Sequence, residues 1–273
     1  MLFKNKNGFV KLIIVSLTLL TFFSKISLTS VLINILIVID FILIGGVLPY
    51  LERKKLSLIQ KRVGPKFVGL NGRLQFIVDA MKIFFKDYFS LLKVKKFYFF
   101  LLPVIFLFYN LLFLLNFNWS GNYYLFDVEL NFIYILIFST ISNILVFLTG
   151  YICKNKYTIL TSSRTVSVFF INELLLTIIT CQIFFFGKSF SFHYYMVHFS
   201  NYFPIFLWLP YLPVIILLFL LEVNKVPFDF QEAESELIMG YTNEYPGFLF
   251  GVYVLIEYLH IFIYSFLVTL LFF

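Results

Sequence analysis

Charge is scarce in this chain. Only 13% of its 273 residues are Asp, Glu, Lys or Arg, about half the roughly 25% of an ordinary soluble domain, whereas 61% are hydrophobic and 22% aromatic. Alanine is nearly missing, at Ala80 and Ala233 only, while Phe occurs 40 times and Tyr 18 times. Bilayer packing demands no such bias, which points instead to AT-rich coding DNA and an organelle genome. The first 30 residues hold no Arg and are too apolar for a transit peptide, and a protein made inside the organelle needs none. The two cysteines, Cys153 and Cys181, cannot supply the four thiolates of an iron–sulfur cluster and read as free membrane thiols. His193 and His198 lack a third ligand nearby, so no metal site is expected. The oxygen spacing of a calcium loop, a phosphate-cradling loop, a Ser-His-Asp order and a nucleotide fingerprint are all absent. The basic segment has few interleaved aromatics, which argues against nucleic acid.

Long apolar runs fill the rest. Spans are expected at about 31–51, 97–117, 131–152, 164–187, 203–224 and 247–273, each near the roughly 20 residues that cross about 30 Å of hydrocarbon. Segment 12–23 is a seventh candidate, a tilted span or an interfacial helix. With no alternating pattern for a β-barrel, helices are the remaining way to satisfy the backbone in lipid. The expected fold is all-α: one transmembrane domain over 1–273, with six to seven spans and an amino-terminal extension, 1–30. Loop 52–96 carries twelve of the 21 Lys and Arg, and loop 153–163 carries Lys154 and Lys156 with Arg164 at its edge. Loop 118–130 has Asp127 and Glu129 and no base. The positive-inside rule then places loops 52–96 and 153–163 on the inner side, and alternation adds loop 225–246. Within the first inner loop, residues 73–92 read as an amphipathic helix, with Leu74, Ile77, Val78, Met81, Phe84 and Phe85 on one face.

Three features suggest chemistry. ERKKLSLIQKRVGPKFVGLNGRLQ, residues 52–75, is basic and broken by Gly64-Pro65, Gly69 and Gly72 into a shaped loop, although a merely solvated loop is the alternative. EVNKVPFDFQEAESELIMGYTNEY, residues 222–245, crowds carboxylates together after Pro227, which ends any entering helix. In a short helix Asp229, Glu232 and Glu236 share one face, so they would titrate as a cluster; a solvated acidic loop is again the alternative. Acids also sit inside apolar spans: Asp40, Glu173 and Glu257, with Glu222 at a span end. A charge at mid-bilayer costs roughly 2.5–3.5 kcal/mol and usually marks a proton or ion path. His260 follows Glu257 by three residues and either extends such a path or bonds within the bundle.

Together, ERKKLSLIQKRVGPKFVGLNGRLQFIVDAMKIFFKD and the 222–245 stretch resemble the two signature regions of the NADH dehydrogenase subunit 1 family, the quinone-site membrane subunit of respiratory complex I. NKYTILTSSRTVSVFFINEL, residues 155–174, resembles it more weakly, and the likeness runs from about residue 40 to 265. The resemblance implies a mitochondrial inner-membrane subunit with loops 52–96, 153–163 and 225–246 in the matrix. It would line the quinone chamber and couple quinone reduction to proton translocation. It implies ubiquinone as substrate, FMN and iron–sulfur clusters on partner subunits, no metal on this chain, and other complex I subunits and lipids as partners. By position, Arg53, Gln60, Arg62, Gly64, Pro65, Lys225, Phe228 and Asp229 belong to the chamber. Asp79, Glu173, Glu222, Glu232, Glu234, Glu236 and Glu257 belong to the proton path, and Arg164 and Pro227 to positioning. The chain departs from the pattern where Lys225 replaces an Arg, losing a planar fork, and where Val168 replaces a Gln. Its amino terminus is longer, and the last two family helices are missing, so a separate short polypeptide is expected to supply them. The same architecture also fits the membrane subunit of an energy-converting hydrogenase. A stand-alone ion transporter, or an anchor with no path of its own, are further alternatives.

Overall fold

The computed structural model describes residues 28–69, 72–87, 94–115, 131–187, 209–225, 228, 240–242 and 244–272. Length and hydropathy set the architecture. Helices α1 (Leu28–Ile59), α3 (Lys96–Leu114), α4 (Asn131–Ile152), α5 (Lys156–Gly187) and α7 (Gly247–Phe272) are long and apolar enough to cross a membrane. Helix α2 (Gln75–Phe85) is short and amphipathic, and α6 (Leu212–Val223) is apolar but only 12 residues long. No strand occurs among the described residues. The expected helical bundle is therefore present; segment 12–23 and residues 203–208 lie outside the described residues.

Two helices overrun their expected ends. α1 and α5 each contain 32 residues, about 48 Å at 1.5 Å per residue, well beyond the hydrocarbon thickness. α1 therefore carries Glu52–Ile59 as helix, where a loop was expected. The backbone then turns back on itself: Lys61 takes a left-handed φ of 51°, and the Arg62 N–H bonds the Ser57 carbonyl at 2.9 Å. Gly64 and Gly72 permit this fold-back. A Cβ at Gly64 would lie 2.6 Å from Ser57 Oγ, and one at Gly72 2.2 Å from the Pro65 carbonyl.

The expected 153–163 loop shrinks to the turn at 153–155, because α5 begins at Lys156. Its polar start looks loop-like in sequence. In the fold, Thr158, Thr161, Ser162 and Thr165 are buried and bond carbonyls of the preceding turn, such as Thr161 Oγ1 to Thr158 O at 2.8 Å and Ser162 Oγ to Ile159 O at 3.0 Å. Small hydroxyl side chains satisfied in this way permit close helix packing. Gly150 of α4 completes the contact, since a Cβ there would sit 2.4 Å from Ser162 Cβ. Arg164 thus stands two turns inside α5 rather than at a loop edge.

α7 is the hub, packing on α1, α2, α3 and α6, while α4 and α5 form a close antiparallel pair that reaches α3 and α6. Phe113, Phe138, Leu114, Ile215 and Ile263 fill one end of the core; Phe99, Phe106, Val252 and Tyr253 fill the other. α6 stops because Asn224 adopts a left-handed cap with φ 53°. That stop precedes Pro227, which lies outside the described residues.

Candidate functional site

Two compartments flank α7. The first is an apolar cavity of about 150 Å³ between α1, α2 and α7. Gly45 and Gly46 of α1, Ala80 and Ile83 of α2, and Gly251 of α7 keep its walls thin, while Phe84 and Phe248 close one side with ring centroids 5.2 Å apart. Its polar wall is one ion pair, Arg53 Nη2 to Asp79 Oδ2, and Gln75 Nε2 donates to the other Asp79 oxygen at 2.9 Å. Gln75 and Asp79 face Arg53 because they sit one turn apart on the polar side of α2.

A second cluster joins three segments. Tyr258 of α7 donates its hydroxyl to Glu52 Oε2 at 2.5 Å. Lys225 Nζ lies 3.8 Å from that same oxygen and 4.7 Å over the Tyr258 ring. One carboxylate thereby ties the end of α1, the residue following the α6 cap and α7.

The second compartment is a buried polar seam. Glu222 is 4% exposed and accepts from Asn172 Nδ2 at 2.8 Å. Glu173, one residue further along α5, accepts from Ser139 Oγ at 3.1 Å. The two carboxyls are close enough to interact electrostatically, and Tyr264 lies beside Glu222 without meeting hydrogen-bond geometry. A cavity of about 20 Å³ continues the seam, lined by Glu222, Glu257 and His260 together with Ser142 and Asn143, with room for about one water. His260 is ringed edge-on by Phe106, Phe138 and Tyr264, and its Nε2 finds no partner. Neither Glu173 nor Glu222 forms an ion pair among the described residues. Neutral amide and hydroxyl partners, unlike a cation, leave a carboxyl free to hold or release a proton.

At the end of α4, Asn155 Nδ2 bonds Glu244, and the Tyr245 hydroxyl donates to the Thr149 carbonyl at 3.2 Å. Tyr245 also stacks on Phe99 at 4.5 Å. Burial pushes the Cys153 thiol up to about 12 and raises the Tyr245 hydroxyl as well.

The sequence profile of the family described as NADH dehydrogenase matches residues 31–273. NADH-ubiquinone oxidoreductase chain 1 of Paramecium tetraurelia is 40% identical over 240 residues, covering 88% of this chain and 92% of that one. Its Neurospora crassa namesake is 31% identical over 253 residues, or 92% and 67% of the two chains. An NADH-quinone oxidoreductase subunit from Helicobacter pylori is 31% identical over 261 residues, or 89% and 78%. This chain belongs to the NADH dehydrogenase family.

For a member of that family, the expected site residues separate by location. The structure joins Arg53 to Asp79, and Glu222 to Glu173 and Glu257. Gln60 and Arg62 are exposed and line neither compartment, with Gly64 and Pro65 in the turn beside them. Phe228 closes a turn onto the Lys225 carbonyl at 2.8 Å, and Arg164 is half-buried on α5. Pro227, Asp229, Glu232, Glu234 and Glu236 lie outside the described residues. Sequence reasoning missed Glu52, Tyr258, Ser139, Asn143 and Asn172. Glu52 was hidden at the head of a basic run, and isolated Ser and Asn in apolar helices carry no spacing signal. Among the described residues no group of His, Cys, Asp and Glu is placed to hold a metal.

Proposed function

We infer that this chain is the membrane subunit of an NADH:quinone oxidoreductase that admits a lipid-soluble quinone and converts its reduction into proton movement. One observation carries the reading: α7 places an apolar cavity with a single charged wall back to back with a buried, hydrogen-bonded carboxyl seam. An apolar isoprenoid tail suits the first compartment and a proton path suits the second. The names of the relatives supply ubiquinone and the NADH reaction. Arg53 and Asp79 would meet the polar part of the entering molecule. Gln60, Arg62, Gly64, Pro65, Lys225, Phe228 and Asp229 would extend the chamber toward the soluble subunits, where FMN and iron–sulfur clusters deliver electrons.

The inward hand-over would run from Glu232, Glu234 and Glu236 through Glu222 to Glu173 and Glu257, with His260 and a bridging water between them. The cluster of Glu52, Lys225 and Tyr258 would hold the two inner loops in register, and Arg164, two turns inside α5, and Pro227, beyond the α6 cap, would help position the segments around them. In a mitochondrial inner membrane, the basic segments 52–96 and 153–163 would face the matrix, and alternation of the spans would put the acidic 225–246 loop on the same side.

The test is Glu222→Gln and Glu232→Gln in the assembled complex, with NADH:ubiquinone rate and proton uptake measured together. Both amides keep shape and hydrogen bonding but cannot exchange a proton. Coupled turnover is expected to fall about tenfold or more. If both variants reduce quinone and pump like the parent, the reading is wrong.

A further inference from the structure

Asp40 serves neither compartment. It lies on α1, twelve residues before Glu52, where the charged end of that helix begins. That places it about 18 Å along the axis from the polar boundary, near the middle of about 30 Å of hydrocarbon. Its side chain is exposed, lines neither cavity, and makes no hydrogen bond or ion pair among the described residues. Leu36 and Leu43, one turn to either side, are exposed with it. α1 is also the peripheral span: only 17% of its most apolar window is buried, against 28–44% in the other four.

A carboxyl facing lipid at this depth is strongly penalised, and such groups are found paired or turned toward a protein interior. Nothing among the described residues offers the pair, and the stripe around Asp40 is otherwise apolar. We propose that Asp40 marks the surface where α1 docks on a transmembrane helix of another subunit, one presenting a lysine or arginine at the same depth. A lysine or arginine is the partner that lets Asp40 stay ionised at this depth while losing its own charge penalty, and it fixes register as well as attachment. The flanking leucines supply the close packing that holds the pair dry. The inference rests on the reading of this chain as a subunit of a larger assembly.

The test is made on the whole complex. Asp40→Leu makes α1 more apolar, so the variant chain inserts at least as well as the parent. It would leave the partner's cation buried and unpaired, and the yield of assembled complex on a native gel should fall about tenfold. Photo-leucine at position 43 should cross-link to a second, membrane-spanning polypeptide. Asp40→Leu complex that assembles as well as or better than the parent would show a lipid-facing surface and overturn the proposal. So would cross-links only to lipid, or only to residues 1–27 of this same chain. If the parent chain is recovered in no larger complex, the functional reading itself falls, a different failure from an intact complex that ignores Asp40.

Discussion

The two sides of α7 use the same spacing for opposite ends. Phe248, Gly251 and Leu255 recur at i, i+3 and i+7 and face the apolar cavity; Glu257, His260 and Tyr264 repeat that pattern nine residues later and face the seam. Nine residues at about 100° each amount to two and a half turns, so the stripes lie on opposite faces of one helix. The apolar side is thin-walled, with glycines on two of its three helices and an ion pair that is half exposed on its Arg53 half. The seam is close-packed, and its polar atoms bond mainly to amides and hydroxyls. On the proposed function, the contrast assigns one job to each side of α7. Admitting a large flexible molecule needs space and exchangeable contacts. Passing a proton needs groups held at fixed distances, since transfer works only within hydrogen-bond reach.

The sharpest way to break this comparison is one substitution made on both sides. At Gly150, beneath the seam, a side chain would meet Ser162 Cβ at 2.4 Å and the Thr158 carbonyl at 2.6 Å, and that backbone atom cannot swing aside. At Gly46, on the cavity side, a Cβ meets nothing within 4 Å. Gly150→Leu should cost about 3 kcal/mol or more, beyond the usual overpacking penalty, and should abolish stable complex on a native gel. Gly46→Leu should leave assembly at the parent level. Equal loss from both would show that the cavity side is as tightly specified as the seam.

Within the seam, His260→Phe separates chemistry from packing. Phe suits the cage of Phe106, Phe138 and Tyr264 but removes both ring nitrogens. Coupled turnover in membrane vesicles should fall about tenfold, with the complex assembled normally. Wild-type proton uptake in His260→Phe would reduce His260 to a core aromatic and confine the path to the carboxyls.

How much of this was legible depends on the kind of signal. The bundle, the amphipathic α2 and the three seam acids were readable because a charge or a period stands out against an apolar chain. Arg53 and Asp79 were readable by resemblance, but their pairing was not, because it depends on how α2 folds back. Asn172 and Ser139 were invisible: an Asn before an acid in an apolar helix says nothing about which oxygen it will meet. The early start of α5 was misread for a related reason, since hydroxyls that satisfy their own helix look in sequence like a loop. Glu52 shows the limit of counting charge, because its one carboxylate is outvoted by the lysines around it and yet organises Lys225 and Tyr258.

On the cavity side, Gly46→Leu has a subtler consequence. It adds about four carbons to a space of about 150 Å³. The apparent KM for a long-tailed ubiquinone should rise about fivefold, a change of about 1 kcal/mol, whereas a short-tailed analogue should be reduced as before. Equal effects on both quinones would mean that the cavity does not carry the tail.

The smallest expected effect concerns the closed end of the α4–α5 pair. Cys153 is 4% exposed, its Sγ bonds the Thr149 carbonyl at 3.4 Å, and burial pushes its thiol up to about 12 from 9.0. Only the thiolate reacts with an alkylating agent, so iodoacetamide at pH 8 should leave Cys153 unmodified over hours in the native complex and modify it promptly after denaturation. The sign of the pH effect follows from the raised value. Below pH 9 the thiol is protonated whether the chain is folded or not, and the full stability is present. As pH rises from 9 toward 12 the unfolded chain ionises first, so that stability is progressively lost. Labelling of the native complex should therefore keep climbing, about tenfold per pH unit, until about pH 12, whereas labelling of the denatured chain should level off near pH 9. Rapid labelling at pH 8 would show that water reaches this turn, and the close packing of the α4–α5 pair would fail at the end where Gly150 meets Ser162.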